Sequence, residues 1–149
     1  MPVTAEEQLR GFIAKFEPAM AKRIRECRAA MRKRFPTAHE FVYDNYNFFV
    51  IGYGPTERPS DAVVSLSVNS KGVNLNFLRG SSLPDPHKIL QGSGSQNRFM
   101  RLEGAATLSQ SEVEELLVAA EAHADPPFPK LGGGKLFIRS VSEKQRPRK

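Results

Sequence analysis

A regular alternation of apolar and polar residues near the middle of the chain constrains the fold more than any other feature. The apolar members of two successive runs are Ala62, Val64, Leu66 and Val68, followed by Val73, Leu75 and Phe77. Alternation with a period of two places such residues on one face of a pleated strand. The connection Ser70-Lys71-Gly72 contains the glycine that is typical of a hairpin turn. The sequence therefore predicts a β-hairpin with one apolar face and one polar face.

Further strands are predicted on both sides of this hairpin. Residues 40–43 and 48–53 are rich in aromatic and β-branched side chains, and the turn sequence Asp44-Asn45-Tyr46-Asn47 separates them. Residues 98–102 read as a last strand, after a short helical turn that is expected at Asp85-Pro86. We therefore expect residues 41–103 to form an antiparallel sheet of about five strands.

Helices are predicted before and after this sheet. Thr4-Ala5-Glu6-Glu7 matches a capping box, and apolar residues then recur every three or four positions as far as Met31. Pro18 has no N–H to donate, so two N-terminal helices are expected instead of one. A second capping-box match at residues 109–112 predicts one C-terminal helix, which Asp125-Pro126-Pro127 ends. The predicted fold class is α+β.

Several motifs along the chain resemble those of a known family. They are Tyr43-Asp44-Asn45-Tyr46, Ile51-Gly52-Tyr53-Gly54-Pro55, Phe77-Leu78-Arg79-Gly80, Leu83-Pro84-Asp85-Pro86, Leu90-Gln91-Gly92-Ser93-Gly94, Arg98-Phe99-Met100-Arg101-Leu102 and the run over residues 140–148. In these motifs the chain is similar to the YdhG-like family of small bacterial proteins, which are built on a domain of unknown function. The resemblance implies an α+β fold with an antiparallel sheet, and it implies no established activity.

Length and composition indicate a single globular domain. The 149 residues, 40% of them hydrophobic and 26% charged, are enough to bury a sizeable core. We predict a YdhG-like domain over residues 1–125 and a Pro/Gly-rich basic tail over residues 126–149. Leu136-Phe137-Ile138 is the one apolar spot in that tail that could dock on the body, and the last eight residues are expected to be disordered.

Location can also be predicted from composition. No apolar run approaches the length of a membrane span, and the N-terminus lacks the apolar core of a signal peptide. The single cysteine, Cys27, permits no internal disulfide, which favours a cytoplasmic location. Cys27 also falls on the apolar side of a predicted helix, where a buried and inert thiol is expected.

The net charge of +6 is concentrated in two patches, which suggest nucleic acid as a partner. The candidate phosphate-binding residues are Lys22, Arg25, Arg28 and Arg32 on the second helix, and Lys144, Arg146 and Arg148 in the tail. Such rows attract phosphates. The alternative is a solvated face that keeps the protein in solution, and the lack of interleaved aromatic residues favours that alternative.

The sequence predicts no catalytic, metal or cofactor site. His39, His87 and His123 each lack a second ligand at helical or hairpin spacing. The frataxin-like iron-chaperone role proposed in the wider family would need a ridge of carboxylates on the first helix, where this chain has basic residues. Gly132-Gly133-Gly134-Lys135 resembles part of a P-loop, but Leu136 stands where Ser or Thr should hold magnesium. No nucleophile-elbow motif is present.

A candidate binding site lies on the polar face of the hairpin. Ser65, Ser67, Asn74 and Asn76 share that face, and all four are short and uncharged. They could line a shallow cleft, and its proposed rim residues are Asp44, Asn45, Tyr46 and Arg79. The alternative is a strand face that the C-terminal segment partly covers and to which it is hydrogen-bonded.

Four functions remain open at this point. The first is a non-enzymatic, cytoplasmic binding module for a small ligand or a protein partner, which binds on the polar sheet face. The second is a nucleic-acid-associated protein that uses the two basic patches, and a weaker alternative is a frataxin-like iron chaperone. An enzyme is the weakest reading, because no catalytic constellation can be named.

Overall fold

The computed structural model describes residues 3–149, which fold as an α+β domain. The helices are α1 (Ala5–Ala14), α2 (Pro18–Arg34) and α3 (Ser111–Ala122), and the strands are β1 (His39–Asp44), β2 (Phe49–Gly54), β3 (Val64–Asn69), β4 (Gly72–Phe77), β5 (Arg98–Leu102) and β6 (Leu136–Val141). Short 3₁₀ turns occupy Pro59–Asp61, Gly80–Ser82 and Ala105–Ser109. The predicted fold class is confirmed.

The described strands form one sheet in the order β5-β4-β3-β2-β1-β6. The predicted hairpin is present as β3 and β4, which pair from Val64 opposite Phe77 to Asn69 opposite Gly72. Neighbouring strands from β1 to β5 are antiparallel, whereas β6 runs parallel to β1. The sheet therefore has one strand more than the predicted five, because residues 136–141 extend it at the β1 edge.

The N-terminal helices begin where the sequence predicts. The Thr4 hydroxyl accepts a hydrogen bond from the Glu7 backbone N–H at 3.1 Å, and the Glu7 carboxylate accepts one from the Thr4 backbone N–H. This reciprocal pair satisfies two N–H groups that the first turn of a helix leaves free. Pro18 occupies the first turn of α2, where its missing N–H costs no helical hydrogen bond.

Two local predictions need correction. α3 begins at Ser111 instead of following a cap at Ser109, because Ser109 ends the preceding 3₁₀ turn. Asp85 starts a single hydrogen-bonded turn, in which its carbonyl accepts from the Lys88 N–H at 3.1 Å, and no helix forms there. Its carboxylate accepts hydrogen bonds from the backbone N–H groups of Ile89 and Leu90, both at 3.0 Å, and so holds a loop.

The core lies between the helices and one face of the sheet. Apolar side chains of α1, α2 and α3 form a single buried cluster with alternate residues of β1 to β5, which include Val42, Ile51 and Leu66. Cys27 is fully buried in this cluster, and burial raises the pKa of its thiol, which confirms the predicted burial. Within residues 3–149, no helix is both long and apolar enough to cross a membrane.

The C-terminal segment is part of this domain, which corrects the prediction of a tail over residues 126–149. β6 supplies an edge strand, and the chain beyond it continues to contact the end of β1. The Ser142 backbone N–H donates to the Asp44 carbonyl and the Arg146 backbone N–H to the Tyr46 carbonyl, both at 2.9 Å. Two of the last eight residues, which were predicted to be disordered, are therefore held by backbone hydrogen bonds.

Docking of β6 depends on a close approach at Gly134. A Cβ atom at this position would overlap the carbonyl group of Ala38, so the glycine lets the two backbones pass each other. One residue later, the Lys135 backbone N–H donates to His39 Nδ1 at 3.0 Å, and the Lys135 carbonyl accepts from the Glu40 N–H at 2.9 Å. Gly134 therefore serves the β1–β6 junction.

Substitution of Gly134 tests this junction. Because neither backbone can yield without breaking the β1–β6 pairing, we expect Gly134→Ala to lower the free energy of unfolding by about 1–3 kcal/mol. Gly133→Ala is the matched control, since a Cβ there meets no atom within 4 Å. Chemical denaturation measures both variants. Equal stability of the two would contradict the observed path of the segment.

Candidate functional site

The four predicted polar residues of the hairpin lie together on the outer face of the sheet, opposite the helices. Ser65 is directly across from Asn76, and Ser67 from Asn74. On the adjoining strands, Val50 pairs with Ser67 and Phe99 pairs with Asn76, so their side chains share the same face.

These residues line an open groove of about 420 Å³. Its walls are Phe48, Val50, Ser65, Ser67, Asn74, Asn76 and Phe99. The uncharged polar strip formed by Ser65, Ser67, Asn74 and Asn76 therefore runs between the aromatic side chains of Phe48 and Phe99, neither of which was predicted to be part of the site. The alternation contained the signal for Phe48, because it is two residues from Val50 and falls on the same side of the β2 strand. Phe99 could not be placed without the register between β4 and β5.

The hydrogen bonds of this strip are incomplete. Asn76 Nδ2 donates to Ser67 Oγ at 2.9 Å and to Ser65 Oγ at 3.2 Å. Both hydroxyl groups act only as acceptors in the described chain, so their protons remain available to a ligand. Asn74 Oδ1 is shielded from solvent and has no hydrogen-bond partner among residues 3–149. Buried polar atoms without partners are rare in native proteins and call for an explanation.

The C-terminal segment runs elsewhere, so the alternative role predicted for this face is not realised. β6 pairs with β1, at the edge of the sheet beyond β2, and the groove lies over β2, β3, β4 and β5. The sheet face that carries the polar strip is therefore open along the groove.

The predicted rim residues do not join the groove. Asp44 is buried on the side of the sheet that faces the helices. Asn45 Oδ1 accepts a hydrogen bond from the Ser140 hydroxyl at 2.7 Å, and Tyr46 lies under the guanidinium of Arg146, 6.0 Å from the ring centroid. These three residues bind the C-terminal segment. Arg79 follows the end of β4 and lines a different pocket.

Asp44 instead forms the centre of a buried ion-pair cluster. Its carboxylate accepts from Lys15 Nζ and from Arg148 Nη2, the latter at 2.7 Å, and Gln145 Nε2 donates to its backbone carbonyl at 2.8 Å. Burial would raise the pKa of Asp44, but the hydrogen bonds from Lys15 and Arg148 outweigh it and hold the pKa below its usual value. The cluster ties α1 and the C-terminus to β1.

A second buried carboxylate, Glu40, lies at the other end of β1. Arg28 donates to Glu40 through Nε at 3.0 Å and Nη2 at 2.8 Å, and the same guanidinium binds Glu6. The Tyr53 hydroxyl donates to Glu40 Oε2 at 2.9 Å. Burial and the Glu40 charge raise the pKa of Tyr53, which keeps it protonated as a donor. Burial alone would lower the pKa of Arg28, but its bonds to both carboxylates raise it.

This arrangement removes Arg28 and Arg148 from the predicted nucleic-acid surface. Only 13% of the Arg28 side chain and 5% of the Arg148 side chain are exposed. Arg32 is 58% exposed and lies at 3.9 Å from Glu40. The remaining predicted residues, Lys22, Arg25, Lys144 and Arg146, are exposed.

The histidines do not come together. His39 accepts from the Lys135 backbone, His87 Nε2 lies 3.1 Å from a Glu115 oxygen, and His123 Nδ1 lies 2.7 Å from the Ala119 carbonyl. Among residues 3–149, no group of three or more His, Cys, Asp or Glu side chains is placed to hold a metal ion.

Comparison of the chain with models of known families, with curated proteins and with solved structures gives no match.

The structural role of Arg28 gives a prediction. Arg28→Gln leaves the buried Glu40 carboxylate without its principal cation, so we expect a loss of about 3–5 kcal/mol in the free energy of unfolding. Arg25→Gln, one turn away on the exposed side of the same helix, should change it by less than about 0.5 kcal/mol. Urea denaturation compares the two variants. Similar costs for both would contradict the buried ion pair.

The Asp44 cluster predicts a specific dependence on pH. Because the folded pKa of Asp44 lies below its unfolded value of about 3.9, the cluster stabilises the fold above that pH and loses its effect as pH falls through the folded pKa. Asp44→Asn should therefore unfold more easily than wild type at neutral pH, and the two stabilities should converge below about pH 4. A difference that stays constant down to low pH would contradict the ionised cluster.

Proposed function

We propose that the protein is a non-enzymatic binding module of YdhG-like type, which takes an uncharged polar ligand in the groove of the outer sheet face. One observation carries this proposal: Asn74 Oδ1 is buried without a partner beside two hydroxyl groups that have protons to donate. Because Asn74 Oδ1 is shielded from solvent, the Asn74 side chain must rotate toward the groove before a ligand that accepts from the serines can also donate to the asparagine and complete these hydrogen bonds. An unmade hydrogen bond at a buried group costs about 1–3 kcal/mol, so completing it contributes to affinity.

The lining of the groove narrows the chemistry of the ligand. The seven residues that line it are uncharged, which favours an uncharged ligand over phosphates or carboxylates. Phe48 and Phe99 offer apolar ring surfaces on the two sides of the polar strip. A sugar combines both features, since its ring has hydroxyl groups at the edge and C–H groups on its faces. We therefore propose a sugar as the ligand class.

The wider assignment rests on the sequence. The motifs spread over nearly the whole chain support membership of the YdhG-like family and a bacterial origin, and the single cysteine supports a cytoplasmic location. Nucleic-acid association has weaker support, because Arg28 and Arg148 are engaged in buried ion pairs. The frataxin-like role has no supporting cluster among residues 3–149.

Substitution of Asn74 separates binding from folding. Asn74→Ala removes a buried acceptor that has no partner, so we expect the free energy of unfolding to stay the same or rise. The same change should weaken sugar binding about tenfold, since one hydrogen bond in a shielded site is lost. Asn97→Ala, at an exposed asparagine outside the groove lining, is the matched control.

The measurement is a titration of the isotope-labelled protein with a panel of neutral monosaccharides and disaccharides, followed by NMR. The proposal expects shifts that cluster at Ser65, Ser67, Asn74, Asn76 and Phe99, and their weakening in Asn74→Ala alone. A panel without shifts at these residues, or equal binding by Asn74→Ala and wild type, would refute it.

A further inference from the structure

A second pocket lies outside the groove, between the end of β4 and the C-terminal end of α3. It is bordered by the 3₁₀ turn Pro59–Asp61, the end of β4, the turn Gly80–Ser82 and the C-terminal end of α3, and it encloses about 190 Å³. Its lining residues do not overlap those of the groove. The two sites are therefore separate.

The interior of this pocket is apolar. Val63, Phe77, Leu83 and Ala120 are among the residues that line it. An engineered apolar cavity of about 150 Å³ in another protein accommodates benzene, so this pocket has room for a branched side chain of four carbon atoms. Burial of such a side chain contributes about 1.5–3 kcal/mol to binding.

Two exposed side chains of opposite charge line the pocket. Arg79 and Asp125 both line the pocket and are exposed. Neither forms an ion pair within residues 3–149.

The other titratable side chains at this pocket, Asp61 and His123, are already engaged. Asp61 accepts from the Thr56 hydroxyl at 2.7 Å. His123 Nδ1 must donate to the Ala119 carbonyl, since a carbonyl oxygen only accepts. This bond and the His123 backbone N–H both satisfy the Ala119 carbonyl at the end of α3. Arg79 and Asp125 are therefore the charges that remain for a ligand.

We propose that this pocket binds a free amino acid with a branched apolar side chain. The guanidinium of Arg79 binds the α-carboxylate, which matches its planar pair of donors. The Asp125 carboxylate binds the α-ammonium group, and the side chain enters the apolar interior. The complementarity is threefold, because a positive group, a negative group and an apolar hollow meet at one pocket. This site goes beyond the proposed sugar groove and does not depend on it.

Three probes with the same branched hydrocarbon chain test each part of the complementarity. L-Leucine carries both charged groups, isocaproate carries only the carboxylate, and isoamylamine carries only the ammonium group. Isothermal titration of wild type should give binding of leucine that is about fivefold tighter than that of either analogue, the amount expected for one exposed ion pair.

Two variants at exposed positions assign each charge without disturbing the core. Arg79→Gln should reduce the affinity for leucine to the affinity of wild type for isoamylamine. Asp125→Asn should reduce it to the affinity of wild type for isocaproate. Arg25→Gln, which lies outside both sites, should bind leucine like wild type. Circular dichroism verifies that all variants are folded.

The outcomes are decisive for this pocket alone. Absence of leucine binding at millimolar concentration, equal affinity for all three probes, or unchanged selectivity in both variants would each overturn the proposal. Preference for isocaproate over leucine would also overturn it, because the ammonium group would then have no partner. Asn74→Ala should leave leucine binding unchanged, so failure here and failure of the sugar groove can be told apart.

Discussion

Two carboxylates on the buried face of β1 each require a cation. The N-terminal helices and the C-terminal segment supply these cations. Glu40 and Asp44 alternate with Val42 on the side of the strand that faces the helices. A buried charge is costly unless it is paired and hydrogen-bonded. Arg28 supplies the partner for Glu40 from α2, and Arg148 supplies one for Asp44 from near the C-terminus. The C-terminal segment is therefore part of the fold, because its Arg148 pairs with the buried Asp44 carboxylate.

This arrangement leaves the other face of the sheet uncovered by the C-terminal segment. The buried ion pairs lie on the helix side, and β6 extends the sheet at the β1 edge instead of crossing its outer face. The groove over β2 to β5 keeps an uncharged polar strip with an unsatisfied acceptor. The pocket at the end of α3 is a different kind of site, since its charges lie at the mouth and its interior is apolar.

Local pattern was sufficient to predict the hairpin, the capped first helix, the break at Pro18 and the clustering of the four polar groove residues. It failed where a residue's role depends on a distant partner. A basic, Pro/Gly-rich segment is predicted to be disordered from its composition. Composition does not reveal that Arg148 forms an ion pair with the distant Asp44. Asp44 was assigned to a ligand rim for the same reason. Asp44 is two residues from Val42 and so lies on the same apolar side of the strand. An acidic residue in such a position indicates a buried cation nearby. Arg79 lies beyond the end of its strand, so alternation no longer fixes its side.

Backbone hydrogen exchange tests whether the C-terminal segment completes the β1 edge. Amides that pair in a stable sheet are protected, and those of an unstructured tail exchange at the rate of a free peptide. We predict protection of the amides of Ser142 and Arg146, which donate to the Asp44 and Tyr46 carbonyls. Exchange of both amides at free-peptide rates would contradict it.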